Sequence, residues 1–544
     1  MVWNYANLWE SVAAATPDRI AQIQGDRSIT WKDFDRRANA LAKAMVDAGL
    51  SKQSKVAAYL YNAPEYIETY FAAFKAGLVP FNTNYRYGGD ELTYLFDNAD
   101  AEAVVFHSSF AEMADKVRGR LPKVKVWIAV AEEGHPVPDW AKDYDSIVAG
   151  GGADHYEAPW GRSADDLLIM YTGGTTGMPK GVMWRQEDLF KGLGGGANLL
   201  LGLPAMERVE EAGERAKAVD ATGAPMNITI PVAPLMHATG QFISFGTLIA
   251  GGAVATLPGR KFDPAVLFDE VERLGVSSLI IVGPAFAAPM LDTLNANPGR
   301  WTMPSLKRIA SSGAMWGLEN KQGLLKHIPN VMLMDSLGSS EALGLASSTS
   351  GGGAAASTAK FATGPNAAVF TEEGERVQPG SGVRGLVAVG GHTPIGYYKD
   401  EEKSAKTFRI FEGTRWSVPG DWATVEADGS ITLLGRGSQV INTGGEKVFP
   451  EEVEEALKRF PGVRDAAVVG LPDPRFGERI GAIVDFVGEN PPSLADLSAH
   501  VKGLLADYKA PRELVLAPVA RAPNGKLDYK ALKAQALTAL GATA

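Results

Sequence analysis

Positions 171–182 carry the segment Tyr171-Thr-Gly-Gly-Thr-Thr-Gly-Met-Pro-Lys-Gly-Val182, directly after the apolar run Leu167-Leu-Ile-Met170. The apolar run predicts a short buried strand that ends in a loop of small residues. Glycines let a backbone adopt positive φ angles and turn its N–H groups toward a ligand, and threonine hydroxyls add donors. Because Lys180 adds positive charge, the composition favours a phosphate-binding loop, with a nucleoside triphosphate as the first candidate ligand.

Two further interpretations of the 171–182 segment compete with this one. The P-loop NTPase motif requires Gly-Lys-[Ser/Thr] at the start of a helix, whereas Lys180 follows Pro179 and precedes Gly181. That motif is therefore excluded. An ordinary strand-to-helix connection rich in turn residues stays open on composition alone.

The composition of the whole chain limits its class. A chain of 544 residues predicts two or more domains, and 45% apolar with 21% charged residues is typical of a globular protein. The net charge of −10 gives no indication of nucleic-acid or anionic-membrane binding. The absence of cysteine excludes disulfides, thiolate metal sites and cysteine nucleophiles, and it is compatible with a cytoplasmic location. The N-terminus has neither the basic nor the apolar region of a standard export signal.

Residues 221–259 carry no formal charge, which raises the question of a membrane span. Four prolines and several glycines interrupt this stretch too often for a spanning helix. We interpret it as buried α/β core that lines a pocket, and we predict no membrane span.

The order of the predicted elements indicates an α/β fold. A hairpin is predicted at 20–30, and strands then alternate with helices, which predicts doubly wound, mainly parallel sheets. The predicted strands are 55–60, 78–81, 103–106, 253–257, 278–282 and 307–311, and the helices are 65–76, 91–98 and 264–274. The segment 206–224 is predicted to be a surface helix or loop, and the low-complexity segment 347–359 is predicted to be mobile.

The pattern changes toward the C-terminus. From Gly385 short strands and turns predict a small β-barrel-like part, and the last hundred or so residues carry an α+β pattern of their own. We therefore predict a large N-terminal domain over 1–435 and a small, mobile α+β C-terminal domain over 436–544.

The 171–182 segment strongly resembles the signature loop of the acyl-adenylate-forming superfamily, which includes acyl-CoA synthetases, peptide-synthetase adenylation domains and beetle luciferases. The usual pattern, Tyr/Phe-Thr-Ser-Gly-Thr-Thr-Gly-x-Pro-Lys-Gly, differs only at Gly173, where the family has Ser. The resemblance extends through further blocks over nearly the entire chain. It implies an ATP site that includes Thr172, Gly173, Gly174, Thr175, Thr176, Gly177 and Lys180, with Lys180 on the triphosphate side or structural.

A second block, Pro234-Leu-Met-His-Ala-Thr-Gly240, resembles the family segment that borders the acyl group. Met236 stands where Phe is common, and His237 is retained. The resemblance implies a pocket-lining or acyl-transfer role for His237, whereas a histidine satisfied within the core is the competing interpretation. The acyl pocket implied in this way includes Met236, Gly240, Val282 and Gly283.

Further blocks resemble the family's nucleotide site. Ser311-Ser-Gly-Ala314 resembles the turn along adenine, which assigns Gly313 and Ala314 to ATP. Asp335-Ser-Leu-Gly-Ser-Ser-Glu341 resembles Tyr-Gly-x-Thr-Glu, with Leu337 for Tyr and Ser340 for Thr. The resemblance implies ATP contacts by Asp335, Ser336, Leu337 and Ser340, and Mg²⁺ binding by Glu341 with the Thr172 hydroxyl. Taken alone, Glu341 would be a helix N-terminal charge.

The remaining blocks lie in the C-terminal fifth of the chain and just before it. Asp421, in Trp416-Ser-Val-Pro-Gly-Asp421, and Arg436 are implied to contact ribose. Ser438 stands where the family's hinge pivot is Asp or Lys, and Gly444-Gly445 are implied to face the pantetheine of CoA. Lys526, in Arg521-Ala-Pro-Asn-Gly-Lys-Leu-Asp528, is implied to be the adenylation lysine, although a lone Gly-Lys is usually only a turn.

The resemblance implies a two-step ligase that uses ATP, Mg²⁺ and CoA. A carboxylate attacks the α-phosphate of ATP, Lys526 stabilises the charge, and the C-terminal domain then pivots to admit the CoA thiol. Lys526, Glu341 and His237 are the candidate catalytic residues. A homodimer is one oligomeric state left open, and no nucleic-acid partner is expected.

The acid is predicted from the apolar pocket residues, which favour a bulky hydrophobic carboxylate. The segment Met183-Trp-Arg-Gln-Glu-Asp188 and the block variants resemble bacterial synthetases that activate steroid side-chain or related polycyclic and branched acids. A plain medium- or long-chain fatty acid is equally compatible with these residues. Peptide-synthetase adenylation, luciferase-type oxidation and a non-catalytic acyl-adenylate sensor also stay open, and a sensor would be expected to lose Lys526 or Glu341.

Overall fold

The computed structural model describes residues 2–150, 155–174, 177–197, 203–314, 316–352, 360–443, 446–473, 477–522 and 525–541. Its contacts divide the chain into two compact units. The first comprises Met1–Ile280 and His392–Lys406, and the second comprises Ile281–Gly391 and Thr407–Ala544. The predicted domain boundary at 435/436 lies inside the second unit and stays a prediction.

The elements follow one another in strict alternation over much of the chain. The helices are α1 (Tyr5–Ala15), α2 (Trp31–Asp47), α3 (Pro64–Lys75), α4 (Gly89–Asn98), α5 (Ala111–Arg118), α6 (Tyr144–Ala149), α7 (Gln186–Gly192), α8 (Glu211–Ala221), α9 (Ala238–Ile249), α10 (Pro264–Leu274), α11 (Pro284–Ala296), α12 (Leu318–His327), α13 (Glu401–Thr407), α14 (Pro450–Lys458), α15 (Leu494–Leu504) and α16 (Tyr529–Ala539).

The strands of the first half are β1 (Ile20–Gln24), β2 (Arg27–Thr30), β3 (Lys55–Tyr59), β4 (Val79–Asn82), β5 (Ala101–His107), β6 (Val126–Val130), β7 (Lys142–Asp143), β8 (Leu167–Gly174), β9 (Gly177–Arg185), β10 (Ile228–Pro231), β11 (Ala253–Thr256) and β12 (Ser278–Ile281). Those of the second half are β13 (Arg308–Ser312), β14 (Met332–Ser339), β15 (Ala342–Ser350), β16 (Lys360–Thr363), β17 (Ala367–Phe370), β18 (Arg384–Val389), β19 (Gly396–Tyr397), β20 (Phe408–Phe411), β21 (Thr414–Ser417), β22 (Asp421–Val425), β23 (Ile431–Arg436), β24 (Ile441–Thr443), β25 (Glu446–Val448), β26 (Val463–Asp473), β27 (Gly477–Phe486) and β28 (Glu513–Leu516).

The first unit contains two sheets. One has the order β19-β9-β8-β4-β3-β5-β6-β7 and is parallel from β8 to β7, with antiparallel pairs only at β8–β9 and β9–β19. The other runs β2-β1-β11-β10-β12. Near-continuous apolar strands such as Val126–Val130 are buried along their whole length, as expected of parallel strands covered on both faces.

Local signals explain several helix ends in this unit. Asp263 accepts hydrogen bonds from the amides of Ala265 and Val266 at the start of α10, where Pro264 has no N–H group that would need an acceptor. Gly275 ends the same helix in the left-handed conformation that glycine adopts without steric cost. No helix within the described residues is both long and apolar enough to cross a membrane.

The second unit joins a mostly antiparallel sheet to an α+β segment. Strand β13 is parallel to β14, and β14, β15, β16, β23, β22, β18, β21 and β20 then pair in antiparallel order. The α+β segment contains the sheet β25-β24-β27-β26, with β28 parallel to β27. Apolar residues of α14, α15, β26 and β27 form its core, which includes Val453, Leu457, Val468, Ile480 and Val501.

The structure agrees with the predicted hairpin at 20–30, the alternating α/β elements and the C-terminal α+β pattern. It corrects two predictions. The strand that begins at Leu167 does not end at Met170, because it continues to Gly174 and pairs with β9, so the 171–182 segment is largely a β-hairpin. Residues 347–350 are not mobile, since they complete β15 and pair with β14, whereas 353–359 lie outside the described residues.

Candidate active site

Asn82 connects two of the predicted site segments within the first unit. Its Nδ2 donates to the carbonyl oxygens of Tyr171, at 2.8 Å, and of Met236, at 2.7 Å. Its Oδ1 accepts from the amide of Tyr171 at 2.7 Å. The side chain is buried at the end of β4. One amide side chain therefore fixes the start of the 171–182 segment against the Pro234–Gly240 block.

Lys180 engages a neighbouring stretch of the same unit. Its Nζ lies 3.1 Å from Oδ2 of Asp400 and 5.9 Å from the ring centroid of Tyr397. Tyr397 also pairs with Val182 through β19 and β9. This arrangement supports a structural role for Lys180.

A second asparagine, Asn62, binds the backbone at the start of the Pro234–Gly240 block, and the last residue of the block lies close to other backbone atoms. Asn62 donates to the carbonyl oxygen of Pro231 at 3.0 Å and accepts from the amide of Leu235 at 2.7 Å. A β-carbon at Gly240 would lie 2.7 Å from the carbonyl oxygen of Pro234, so only glycine fits there without a shift. His237 is the N-cap residue of α9 and is half-buried.

In the second unit, Gly283 and the Ser311–Ala314 turn lie in contact. The amide of Gly283 donates to Oγ of Ser311 at 2.9 Å. Gly283 has φ +47°, and a β-carbon there would lie 3.0 Å from that of Ala314. The structure thus joins a predicted acyl-pocket residue to the predicted adenine turn.

Asp335 is paired inside the protein. Its Oδ2 lies 3.1 Å from Nζ of Lys321 on α12, and both side chains are almost fully buried. Burial raises the pKa of Asp335 to about 6, against the opposing effect of Lys321. The carboxylate therefore serves this buried pair, and a contact with ATP would fall to the Asp335 backbone.

Glu341 lies in the tight turn between β14 and β15. Its amide donates to Oγ of Ser339 at 3.3 Å, and its carbonyl oxygen accepts from Oγ of Ser417 at 2.6 Å. Ser417 ends β21, shortly before Asp421. The turn is therefore tied to the strand that leads to the predicted ribose carboxylate.

Asp421 and Arg436 face each other on paired strands. They are register partners on β22 and β23, and Nε of Arg436 lies 3.2 Å from Oδ1 of Asp421. Asp421 is buried, while Arg436 remains partly exposed. A carboxylate held by one oxygen keeps acceptor capacity for a hydroxyl pair.

Lys526 belongs to the same cluster of charges. Water still reaches its side chain, but surrounding protein atoms partly desolvate it and lower its pKa. The nearby cation Arg436 lowers this pKa further, while Glu341 and Asp421 oppose the effect. Two cations and two carboxylates therefore converge within the second unit. We call Lys526, Glu341, Asp421 and Arg436 the charged cluster.

The loop that presents Lys526 is fixed at both sides. Arg521 donates to Oδ2 of Asp465 from Nη2 at 2.6 Å and to the carbonyl oxygen of Gly525 from Nη1 at 3.0 Å. Gly525 has φ +82°, and a β-carbon there would lie 3.1 Å from both Val282 Cγ1 and Ala285 Cβ. Lys526 thus follows a residue that packs on the predicted acyl-pocket residue Val282.

The remaining predicted site residues lie on strands or in short turns. Thr172, Gly173 and Gly174 lie on β8 and Gly177 on β9, Gly313 and Ala314 follow β13, Ser336 and Leu337 lie on β14, Ser340 is in the turn beside Glu341, and Ser438 lies in the short 3-10 turn Gly437–Gln439. Thr175, Thr176, Gly444 and Gly445 lie outside the described residues. The two predicted metal ligands, Thr172 and Glu341, belong to different units.

The charged cluster suits a nucleotide better than a metal ion that is bound by protein ligands alone. The charged cluster offers cations for phosphate and a carboxylate for ribose hydroxyls. Within the described ranges no group of three or more His, Cys, Asp or Glu side chains is arranged to hold a metal ion. Mg²⁺ commonly needs only one or two protein carboxylates when phosphates supply the other oxygens, and Glu341 could provide one.

Comparison with known families identifies the chain. Residues 9–398 match the family described as AMP-binding enzyme, and residues 452–526 match the AMP-binding enzyme C-terminal domain. This chain belongs to the AMP-binding enzyme family. The predicted resemblance to acyl-adenylate-forming enzymes is thereby confirmed.

Curated relatives of this AMP-binding enzyme cover nearly its full length. It is 40% identical to a medium/long-chain-fatty-acid–CoA/3-oxocholest-4-en-26-oate–CoA ligase of Mycolicibacterium smegmatis, over 97% of this chain and 96% of the relative. It is 38% identical to a 3-oxocholest-4-en-26-oate–CoA ligase of Rhodococcus rhodochrous, over 98% and 96% of the two chains.

Solved structures match its fold. The anthranilate CoA ligase AuaEII in complex with anthranoyl-AMP superposes with a TM-score of 0.83 at 20% identity, covering 99% of this chain and 98% of the other. A benzoate CoA ligase from Burkholderia xenovorans LB400 gives a TM-score of 0.79 at 20% identity, covering 98% and 100%. The α/β fold with a large sheet-containing part and a smaller α+β part is therefore confirmed.

Sequence reasoning missed several residues that build the site of this AMP-binding enzyme. Asn62, Asn82, Lys321, Asp465 and Arg521 all act on partners far away in sequence or on backbone groups. Only Arg521 lies in a recognised block, and its partner Asp465 is 56 residues away.

Proposed function

We propose that this chain is an AMP-forming acyl-CoA synthetase, an acid–thiol ligase of the cytoplasm that activates a bulky hydrophobic carboxylate. The acid attacks the α-phosphate of ATP to give an acyl-adenylate and pyrophosphate, and the CoA thiol then displaces AMP. The observation that carries the proposal is the charged cluster, in which Lys526 lies with Glu341, Asp421 and Arg436. The named activities of the full-length relatives support it.

Each member of the charged cluster has one role in this proposal. Lys526 neutralises charge that develops between the carboxylate and the α-phosphate, because two anions must approach each other in this step. Asp421 accepts from the ribose hydroxyls, and Arg436 holds Asp421 in place. Glu341 would hold a Mg²⁺ ion together with oxygens of the ATP phosphates, and the ion would supply charge neutralisation.

The second half-reaction requires Lys526 to withdraw. We propose that residues 436–544 form a mobile domain that pivots near Ser438, so that Gly444 and Gly445 face the pantetheine of CoA. Such a domain rotation is a conformational step that can limit turnover.

The acid is proposed from the relatives. Their names include a steroid side-chain acid, 3-oxocholest-4-en-26-oate, and medium- or long-chain fatty acids. We propose acids of these two classes as substrates, with the steroid side-chain acid and palmitate as the reference compounds.

The test measures pyrophosphate release with ATP and Mg²⁺ against acetate, palmitate, cholate and 3-oxocholest-4-en-26-oate, with and without CoA. We expect turnover with palmitate, the cholestenoate or both, and acyl-CoA only when CoA is present. Activity with acetate alone would overturn the proposed acid class. No pyrophosphate release and no acyl-adenylate with any acid would overturn the proposed synthetase activity.

A further inference from the structure

Glu451 contacts the backbone at the predicted hinge. It lies in the first turn of α14, and its carboxylate packs directly on Gly435, the second-to-last residue of β23. Gly435 has φ +123°, and a β-carbon there would overlap Oε2 and Cδ of this carboxylate. Glycine at 435 is therefore required by the conformation and by Glu451 together.

The same carboxylate binds the next residue of the hinge. Oε1 of Glu451 accepts from the backbone amide of Arg436 at 3.2 Å. The side chain of Arg436 reaches Asp421, so one residue connects Glu451 to the charged cluster. Glu451 thus fixes the backbone of a residue whose side chain serves the nucleotide site.

The start of α14 makes further contacts with the same strands. The rings of Phe449, the N-cap residue, and Trp422 on β22 are 6.0 Å apart between centroids. The amide of Gly437 donates to the carbonyl oxygen of Gly420 at 3.1 Å, and a β-carbon at 437 would lie 2.7 Å from Nε1 of Trp422. The start of α14 is therefore seated on β22 and β23, and a rotation about Ser438 would break its contacts through Phe449 and Glu451.

The charge state of Glu451 is also set by its surroundings. Its Oε2 is shielded from water and has no hydrogen-bond partner among the described residues. Burial raises the pKa of Glu451 to about 7, with Asp421 acting in the same direction and Arg436 against it. Glu454 on the same helix and Tyr529 are the other titratable groups that interact with it.

We propose that Glu451 is a positioning residue that holds the hinge in the arrangement for acyl-adenylate formation and must release the Arg436 amide before the thioester step. The inference rests on the proposed synthetase function. It adds to that function a residue outside the charged cluster, Glu451, that sets the relative rates of the two half-reactions.

The test separates the half-reactions in Glu451→Ala and Glu451→Gln. Acyl-adenylate formation is followed by pyrophosphate release without CoA, and the thioester step starts from supplied acyl-adenylate and CoA. Loss of the hydrogen bond that fixes the Arg436 amide predicts that Glu451→Ala slows acyl-adenylate formation roughly tenfold, with the thioester step unchanged or faster. Glu451→Gln keeps an oxygen that can accept from the Arg436 amide, so we expect it to restore at least half of the wild-type rate.

The matched control is Glu452→Gln, which removes a carboxylate from the same helix turn. Glu452 contacts Lys509 and the amide of Phe449 but not the hinge. We expect its ratio of the two half-reactions to match the wild type, and thermal unfolding of every variant reports on folding. Equal losses in both half-reactions for Glu451→Ala, or no loss in either, would overturn the proposal. A wild-type protein that forms no acyl-adenylate with any acid would instead overturn the proposed function.

Discussion

Arg521 binds Asp465 and the loop that carries Lys526 at the same time. Its Nη2 and Nε lie 2.6 Å and 3.1 Å from Oδ2 of Asp465, and its Nη1 donates to the carbonyl oxygen of Gly525. Both side chains of the ion pair are largely buried. Since Gly525 immediately precedes Lys526, the position of the proposed adenylation lysine depends on Arg521, which need not touch substrate.

Replacing Arg521 by Met should therefore impair acyl-adenylate formation through Lys526. Loss of hydrogen bonds to charged partners predicts a decrease of roughly tenfold or more in pyrophosphate release without CoA. We expect the thioester step from supplied acyl-adenylate to change less than twofold. Lys530→Met removes an exposed cation four residues after Lys526 and should leave both rates unchanged. A larger loss in the thioester step would contradict the positioning role of Arg521.

The charged cluster could be predicted from the sequence because its members lie in short blocks with characteristic residue types. The blocks give Glu341, Asp421, Arg436 and Lys526 by position alone. The residues that position this cluster could not be predicted. Arg521 holds the residue before Lys526, but its partner Asp465 is 56 residues away and carries no distinguishing neighbours. Asn82 was missed for the same reason, being 89 residues from Tyr171.

The two corrected elements have a shared physical cause. Glycine and threonine runs are typical of loops, so the pairing of β8 with β9 through Gly174 and Gly177 was not predicted. Ser347–Ser350 is a low-complexity run, yet all four residues pair with β14, and Ser347 also pairs with β16. In both cases hydrogen bonding to neighbouring strands decides the conformation against local composition.

Lys180 should matter far less than Lys526, although both lysines stand in recognised blocks. The pair with Asp400 is partly exposed, and such pairs contribute about 0–1 kcal/mol. We expect Lys180→Ala to reduce acyl-adenylate formation by less than tenfold, measured beside Lys526→Ala in the same assay. Equal losses in the two variants would show that Lys180 has a direct catalytic role.

Breaking the Lys321–Asp335 pair should strongly lower the free energy of unfolding. Because both side chains are buried, removing one partner leaves a buried charge without its counter-charge and costs about 3–5 kcal/mol. We expect Asp335→Leu to lower the unfolding temperature strongly and Lys321→Met/Asp335→Leu to recover most of it. An Asp335→Leu protein as stable as wild type would contradict the importance of this pair.

The pH dependence of Asp335 has a defined sign. Its folded-state pKa of about 6 lies above the ordinary value of 3.8, so folding favours the protonated form. Its contribution to stability is therefore greatest below about pH 4 and falls as the pH rises through about 6. Comparing the unfolding temperature of wild type and Asp335→Asn between pH 4 and 7 should show the wild type losing stability relative to the variant as the pH rises.

The hinge carboxylate gives a second pH prediction, at the level of catalysis. Since burial raises the pKa of Glu451 to about 7, the hinge arrangement favours the neutral form of this group. As the pH rises through 7, ionisation should disfavour the arrangement, so acyl-adenylate formation should decline relative to the thioester step. In Glu451→Gln the ratio of the two rates should not change in this way as the pH rises through 7. The same pH dependence of the ratio in wild type and variant would contradict the assignment to Glu451.

Lys526 should be required for one half-reaction only, and only while it is protonated. Lys526→Ala removes the cation that offsets charge between carboxylate and α-phosphate, and loss of such a group predicts a decrease of at least about 10²-fold in acyl-adenylate formation. The thioester step from supplied acyl-adenylate should be largely spared, because the proposed rotation withdraws Lys526 before that step. Desolvation and Arg436 lower the pKa of Lys526, so acyl-adenylate formation should fall as the pH rises, at a pH below the ordinary lysine pKa of 10.5. Lys526→Arg stays protonated throughout, and any residual activity it retains should not show this fall. Equal loss of both half-reactions in Lys526→Ala would contradict the separate roles assigned to the two steps.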